Sequence, residues 1–122
     1  MSADPSLRRQ AERRGRRAEW SCLMLLACKG YRPLGRRVRT PFGEIDLIAA
    51  RGHTLVFVEV KQRASETAAL EAVSARQQRR MLDAASWWLA RRPRYGRYNL
   101  RFDVMAVGAR RLPLHLQDAI RA

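Results

Sequence analysis

Lysine is almost missing from this chain. Of 25 basic residues only Lys29 and Lys61 are lysines, the others being arginines, and a mere 11 acidic residues oppose them, for a net charge of +14 over 122 positions. That balance favours polyanionic partners over acidic or neutral-protein ones, with nucleic acid first. Cysteine is equally scarce. Cys22 and Cys28 lie on different turns of an expected helix and lack the paired cysteine or histidine spacing of a zinc site, so neither a disulfide nor zinc is expected. Long apolar runs are absent too: residues 23–27 are far too few to span a bilayer, and no small-residue cleavage pattern follows them. The expected compartment is the cytoplasm, with no membrane partner. Without repeats, low-complexity tracts or breaks in composition, the chain is expected to form one domain that buries about two-thirds of its unfolded surface.

What is present reads as an α/β chain in the order αβββαβ. Residues 1–11 are expected to be a disordered basic arm, and 12–122 the single domain. A helix over 12–29 ends at Gly30, the usual place for a left-handed cap. Residues 31–40, with Pro33 and Gly35, suit an irregular edge strand. Strands over 42–50 and 54–63 are joined by Arg51-Gly52-His53. One long helix is expected over 67–91, where Val73, Gln77, Met81, Ala84 and Trp88 share a face before Pro93 stops it. Residues 98–107 read as a further strand, 112–116 as a short strand or extended tail, and the last residues as a helical turn.

The chemistry concentrates on the two central strands. Alternation puts Glu59 and Lys61 on one side with Leu55 and Phe57, an apolar company that a solvated strand end does not need. Asp46 shares parity with Glu44 and Ile48, so it can lean from its own strand towards Glu59 on the next. Two carboxylates in a partly buried site repel, which raises a pKa unless a cation fills the gap. Mg²⁺ or Mn²⁺ suits such oxygens, with the Val60 carbonyl as a further candidate ligand. Lys61 stands out because a residue chosen for charge alone would be arginine here. It can hold a water, help deprotonate it, or neutralise phosphoryl oxygens. Glu19 falls on the stripe of Cys22, Leu23 and Leu26, where an inward carboxylate needs either an arginine or a metal and active-site role. Surface ion pairs also generate so short a pattern, so it does not by itself define an enzyme.

Arginines gather in three places: Arg8, Arg9, Arg13, Arg14, Arg16 and Arg17; Arg36, Arg37 and Arg39; and Arg76, Arg79 and Arg80. They suit salt-sensitive, sequence-independent phosphate contact, and nothing reads as a helix-turn-helix. At least one of Trp87 and Trp88 should be core. Tyr95 and Tyr98, flanking Arg94 and Arg97, suit a stacking loop. Asp103 is expected to pair with a neighbouring arginine. His53 and His115 have no assigned role.

The run Gly43-Glu44-Ile45-Asp46-Leu47-Ile48-Ala49, followed by Val56-Phe57-Val58-Glu59-Val60-Lys61-Gln62-Arg63, resembles the YraN family of bacterial proteins. That family is placed in the PD-(D/E)XK nuclease superfamily and is similar to archaeal Holliday-junction resolvases. Over about 12–119 the resemblance implies a restriction-endonuclease-like core, a mixed central sheet flanked by helices. It implies catalytic roles for Asp46, Glu59 and Lys61, with Glu19 from the first helix and Gln77 from the second. Ile45 stands where the superfamily label has proline. The expected activity is metal-dependent cleavage of structured or branched nucleic acid, DNA ahead of RNA, with a homodimer if two strands are cut symmetrically. The competing expectation is a binding module for DNA or RNA that keeps the fold without cleaving. Attachment to anionic membranes is disfavoured, because the first helix is expected to lack a broad exposed apolar face.

Overall fold

The computed structural model describes residues 5–108 and 112–120, the side chains of 11, 12 and 14 excepted. Helix α1 runs over Pro5–Cys28. It starts seven residues before the expected boundary, because proline in a first turn has its φ already set for a helix. Residues 5–11 are therefore helical rather than part of a disordered arm. The rest of that expected arm, residues 1–4, and the Arg14 side chain lie outside the described residues. Strands β1 (Arg32–Thr40), β2 (Gly43–Arg51) and β3 (Thr54–Lys61) follow as an antiparallel meander. Gly52 supplies the left-handed residue of the β2–β3 turn, at φ 60°. Then come α2 (Glu66–Glu71), α3 (Ala75–Ala90), a 3₁₀ turn (Pro93–Tyr95), β4 (Asn99–Ala106) and β5 (Leu114–Leu116). β4 lies parallel to β3, which the α2–α3 crossover allows, and β5 antiparallel to β4. The described residues thus form a mixed five-stranded sheet in the order β1-β2-β3-β4-β5, flanked by helices.

Each face of the sheet has its own apolar layer. Ile48, Ala50, Leu55 and Phe57 meet Met81, Ala84, Ala85 and Trp88 of α3 on one side. Leu47, Ala49, Val56 and Val58 meet Cys22, Leu23 and Leu26 of α1 on the other. The single long helix expected over 67–91 is in fact two. Ser74 has extended backbone and its hydroxyl accepts the Gln77 amide N–H at 3.1 Å, so a new helix starts there. The predicted stripe survives the break, since Val73, Met81, Ala84 and Trp88 are all buried. Ser74→Ala is expected to cost about 1 kcal/mol in urea denaturation, the usual worth of such a cap.

Trp88 is the core tryptophan, edge-on to Phe57 and stacked on Tyr95. The 3₁₀ turn tucks Tyr95 inside, so the expected surface-stacking loop around Arg94 and Arg97 loses one of its two rings; Tyr98 packs edge-on against Tyr95. Gln117 and Asp118 form a turn where a helical turn was expected, and residues 121–122 lie outside the described ones.

A polar lock ties β4, β5 and the start of β1 together. Asp103, fully buried, accepts Arg101 Nε and Nη2 at 2.9 Å each, the Asp118 amide at 2.9 Å, and His115 Nε2 at 2.6 Å. The other ring nitrogen of His115, Nδ1, lies 2.7 Å from Lys29 Nζ. An ammonium only donates, so Nδ1 accepts and Nε2 carries the proton given to Asp103. Arg101 also donates to the Tyr31 hydroxyl at 2.6 Å. Asp103 has the arginine partner the sequence suggested, while His115 turns out to be its second.

Candidate active site

β2 and β3 pair regularly as far as Leu47 opposite Val58, and there the ladder stops. One step beyond, the Asp46 carboxylate replaces a backbone acceptor: its Oδ2 takes the Val60 N–H at 2.8 Å. The alternation of β2 breaks at this point. Ile45 joins Ile48 on the α3 side, whereas Leu47 and Ala49 face α1. Arg37, between the β1 residues that pair with Ile45 and Leu47, has φ 52°. The expectation that Asp46 shares a face with Ile48 is thereby corrected. Its carboxylate lies between diverging strands, within electrostatic reach of Glu19 and Cys22 of α1.

Glu59 keeps the parity expected of it. It points to the α3 side, into a cleft of about 130 Å³ whose walls include Phe42, Glu44, Gln77, Arg80 and Met81. Lys61 Nζ lies 3.2 Å from Glu59 Oε1, with both side chains mostly covered. Gln77 Oε1 is buried in that wall with no hydrogen-bond partner among the described residues, an acceptor waiting for a donor. Asp46 feels burial first and the Glu59 charge second. Its carboxyl is pushed up to about 7, although the Val60 amide and Lys61 pull the other way.

Of the two roles open to Glu19, the ion pair is the one formed. Arg37 Nε lies 2.5 Å from Glu19 Oε1 and Arg36 Nη1 lies 3.9 Å away. Glu19 still adds its charge to the field at Asp46. Burial, with Asp46 and Glu19, pushes the Cys22 thiol up to about 12, which makes it inert. Cys22 and Cys28 are both free. Asp46, Glu59 and Lys61 thus lie within electrostatic reach of one another where β2 and β3 part, and Gln77 shares the cleft with Glu59. Among the described residues no three His, Cys, Asp or Glu side chains are grouped tightly enough to hold an ion by themselves. Mg²⁺ does not require three, because one or two carboxylates with waters and phosphate oxygens complete its shell.

Arg80 lines the cleft, and Arg76, Arg79, Arg13, Arg16, Arg17 and Arg36 are exposed. Sequence reasoning passed over Phe42 and Glu44 as part of the cleft, although Glu44 opens the same motif. It also passed over Trp20, which is 52% exposed beside Met24 at 68%, so α1 does present apolar surface to solvent. The signal was there, an aromatic next to Glu19 with nothing apolar one turn before it.

A mixed sheet between helices, carrying two carboxylates and a lysine at the point where neighbouring strands separate, defines an α/β domain with an acid-and-lysine site. Residues 18–107 match the model described as uncharacterised protein family UPF0102, and the chain belongs to that family. It is 52% identical over 120 residues to a UPF0102 protein of Mesorhizobium japonicum, covering 98% of this chain and 96% of that one. A UPF0102 protein of a Chelativorans species is 49% identical, with 100% and 99% covered, and one of Agrobacterium fabrum 51%, with 92% of each. The matched span holds Glu19, Asp46, Glu59, Lys61 and Gln77, but stops short of β5 and His115. No described helix is long and apolar enough to cross a membrane.

Proposed function

We propose that this protein is a metal-dependent endonuclease that hydrolyses phosphodiester bonds in structured or branched DNA, with a restriction-endonuclease-like core of the PD-(D/E)XK type. One observation carries the reading: the Asp46 carboxylate sits at the parting of β2 and β3, held by the Val60 amide, where Glu59 adds to the burial that raises its pKa. A hard divalent cation is the group that such an arrangement accommodates, since it removes the repulsion while meeting oxygen donors. Asp46, Glu59 and the Val60 carbonyl would hold it, with Glu19 adding negative charge from behind its arginines. Mg²⁺ or Mn²⁺, when bound, supplies a Lewis acid for the phosphoryl oxygens and acidity for a water.

The chain's own residues do the rest. Lys61, kept in place by Glu59 at 3.2 Å, orients the attacking water or offsets charge growing on the phosphate. Gln77 offers its unpartnered oxygen to a water proton in the cleft. Arg80 at the cleft wall, and the exposed arginines of α1, β1 and α3, hold the polyanion without reading its sequence. Digestion of a panel of linear, flapped and four-way DNA with Mn²⁺ tests this. Lys61→Ala is expected to cut on the order of 100-fold more slowly, the usual cost of one charge-stabilising donor. Equal rates for both proteins would defeat the proposal.

A second reading rests on a specific observation. Glu19 is engaged by Arg37 and Glu59 by Lys61, the pairings expected of a binding module that keeps the fold and no longer cleaves DNA or RNA. Such a module binds nucleic acid in chelator and turns over none with any divalent ion, so the same panel separates the two.

A further inference from the structure

α1 and the edge strand β1 enclose a second concavity that the proposed cleavage does not use. It measures about 390 Å³ and is lined by Trp20, Leu23, Met24, Pro33, Gly35 and Arg36. Its walls are apolar except for Arg36, and none of its lining residues is acidic. The Arg36 guanidinium lies 4.5 Å from the centre of the Trp20 ring. Trp20 is half exposed and Met24 more so, at a place where packing does not need them.

The groove is joined to the candidate active site through shared residues. Trp20 follows Glu19 directly, and Arg36, the cation on Trp20, also reaches towards Glu19. Arg37, which binds Glu19, and Gln62, which follows Lys61, both approach α1 at Gly15, at 3.8 and 3.7 Å from where a Cβ would stand. An aromatic ring, a guanidinium and apolar walls beside a phosphate-handling site are the parts of a platform on which a nucleobase stacks. Inside a duplex both faces of a base are covered by its stacked neighbours, so an occupant away from a duplex end is unpaired. We infer that Trp20 and Arg36 hold an unpaired nucleobase of the substrate strand, which makes the substrate a nucleic acid with a single-stranded or displaced segment. This rests on the nuclease or binding reading for its polyanion but not on cleavage. Charge favours this occupant over a second copy: Arg36 lines the groove, Arg16 and Arg17 of α1 and Arg32 of β1 are exposed on the two elements that form it, and a copy of a chain at +14 would bring the same sign. A lipid surface is disfavoured by the shape, a groove closed on one side by an edge strand rather than a broad apolar face.

Stacking is blind to the sugar, so deoxyribose and ribose strands both fit, and the experiment separates them. Binding of the full chain is measured in EDTA to a blunt duplex, to the same duplex with a thymine arm, to that duplex with an abasic arm, and to one with a uridine arm of ribose. Wild type is expected to prefer the thymine arm to the abasic arm by about tenfold, within the worth of one stacked base. Trp20→Ala loses that preference, with an unchanged circular dichroism melt because the ring is exposed. Trp20→Phe regains most of it, and affinity for blunt duplex moves less than twofold. A preference for the ribose arm or for the deoxyribose arm then assigns the sugar. Equal binding of thymine and abasic arms by wild type overturns the proposal. So does a Trp20→Ala defect confined to self-association in sedimentation or to anionic-vesicle pelleting. Because no metal is present, the result is independent of whether the protein cuts: the stacking platform can fail with cleavage intact, and the reverse.

Discussion

Asp46→Asn is expected to abolish divalent-ion-dependent cleavage while raising the melting temperature at neutral pH. The two effects share one cause. An asparagine oxygen still accepts the Val60 N–H, so the joint between β2 and β3 survives. What disappears is a negative charge that burial, Glu59 and Glu19 all disfavour. Since the folded carboxyl titrates at about 7 against about 3.9 in an unfolded chain, the folded state holds the proton more tightly. Its stabilising contribution is whole below about pH 4 and is lost as pH rises through about 7. Wild type should therefore weaken across that window by up to about 4 kcal/mol, and Asp46→Asn should not. Cleavage falls by at least about a thousandfold, because several kcal/mol of charge stabilisation go with the ligand. Mn²⁺ should raise the melting point of wild type and not of the variant, a readout that needs no turnover. A variant that cuts at the wild-type rate would sink the nuclease reading; one that melts lower at pH 8 than wild type would sink the electrostatic account.

How far the residues announced this arrangement depends on which physical rule governs each place. The β2–β3 hairpin was legible because Arg51-Gly52-His53 sits between two apolar runs and Gly52 takes the left-handed conformation the turn requires. The stripe of Val73, Met81, Ala84 and Trp88 was legible from period alone. The break at Ser74 was not, since the stripe continues across it and only the serine's capping hydroxyl marks the new start. Position 46 defeated the period-two rule for a related reason. Alternation assumes an unbroken ladder, and here an irregularity shared with Arg37 on β1 lets Ile45 and Ile48 face the same way. The sequence offered the carboxylate as a candidate, but the face it expected for it rested on that unbroken alternation. Trp20 was missed although the polar turn before it marked an outward ring, and His115 because nothing local distinguishes a histidine with a buried carboxylate 12 residues away from one in water. Their partners come from other elements.

Asp103→Ala is the substitution expected to damage the fold most. Asp103, itself fully buried, neutralises Arg101 through both oxygens, fixes His115, and receives the Asp118 amide. Truncation takes the carboxylate from a guanidinium, a ring N–H and an amide together, a cost of about 3 to 5 kcal/mol for a broken buried charge pair. That is a large share of the roughly 5 to 15 kcal/mol available to a domain. Asp103→Asn keeps the shape and the Asp118 bond but loses the charge, and should fall between the two. Burial by itself would raise this carboxyl; His115, Arg101 and the Asp118 amide outweigh it and hold it below the ordinary range. A depressed folded pKa has the opposite sign to that of Asp46. Its contribution is present above the unfolded value of about 3.9 and is lost as pH falls through the folded one. Urea midpoints followed from pH 8 down to 2 should thus show two limbs, a gain between about 7 and 4 that Asp46→Asn flattens, and a loss below about 4 that Asp103→Asn flattens. An acid limb that stays as steep in Asp103→Asn as in wild type would mean that the lock contributes nothing at its centre. Lys29 and Tyr31, which reach the lock through His115 and Arg101, would then be holding β5 to the turn after α1 by packing alone.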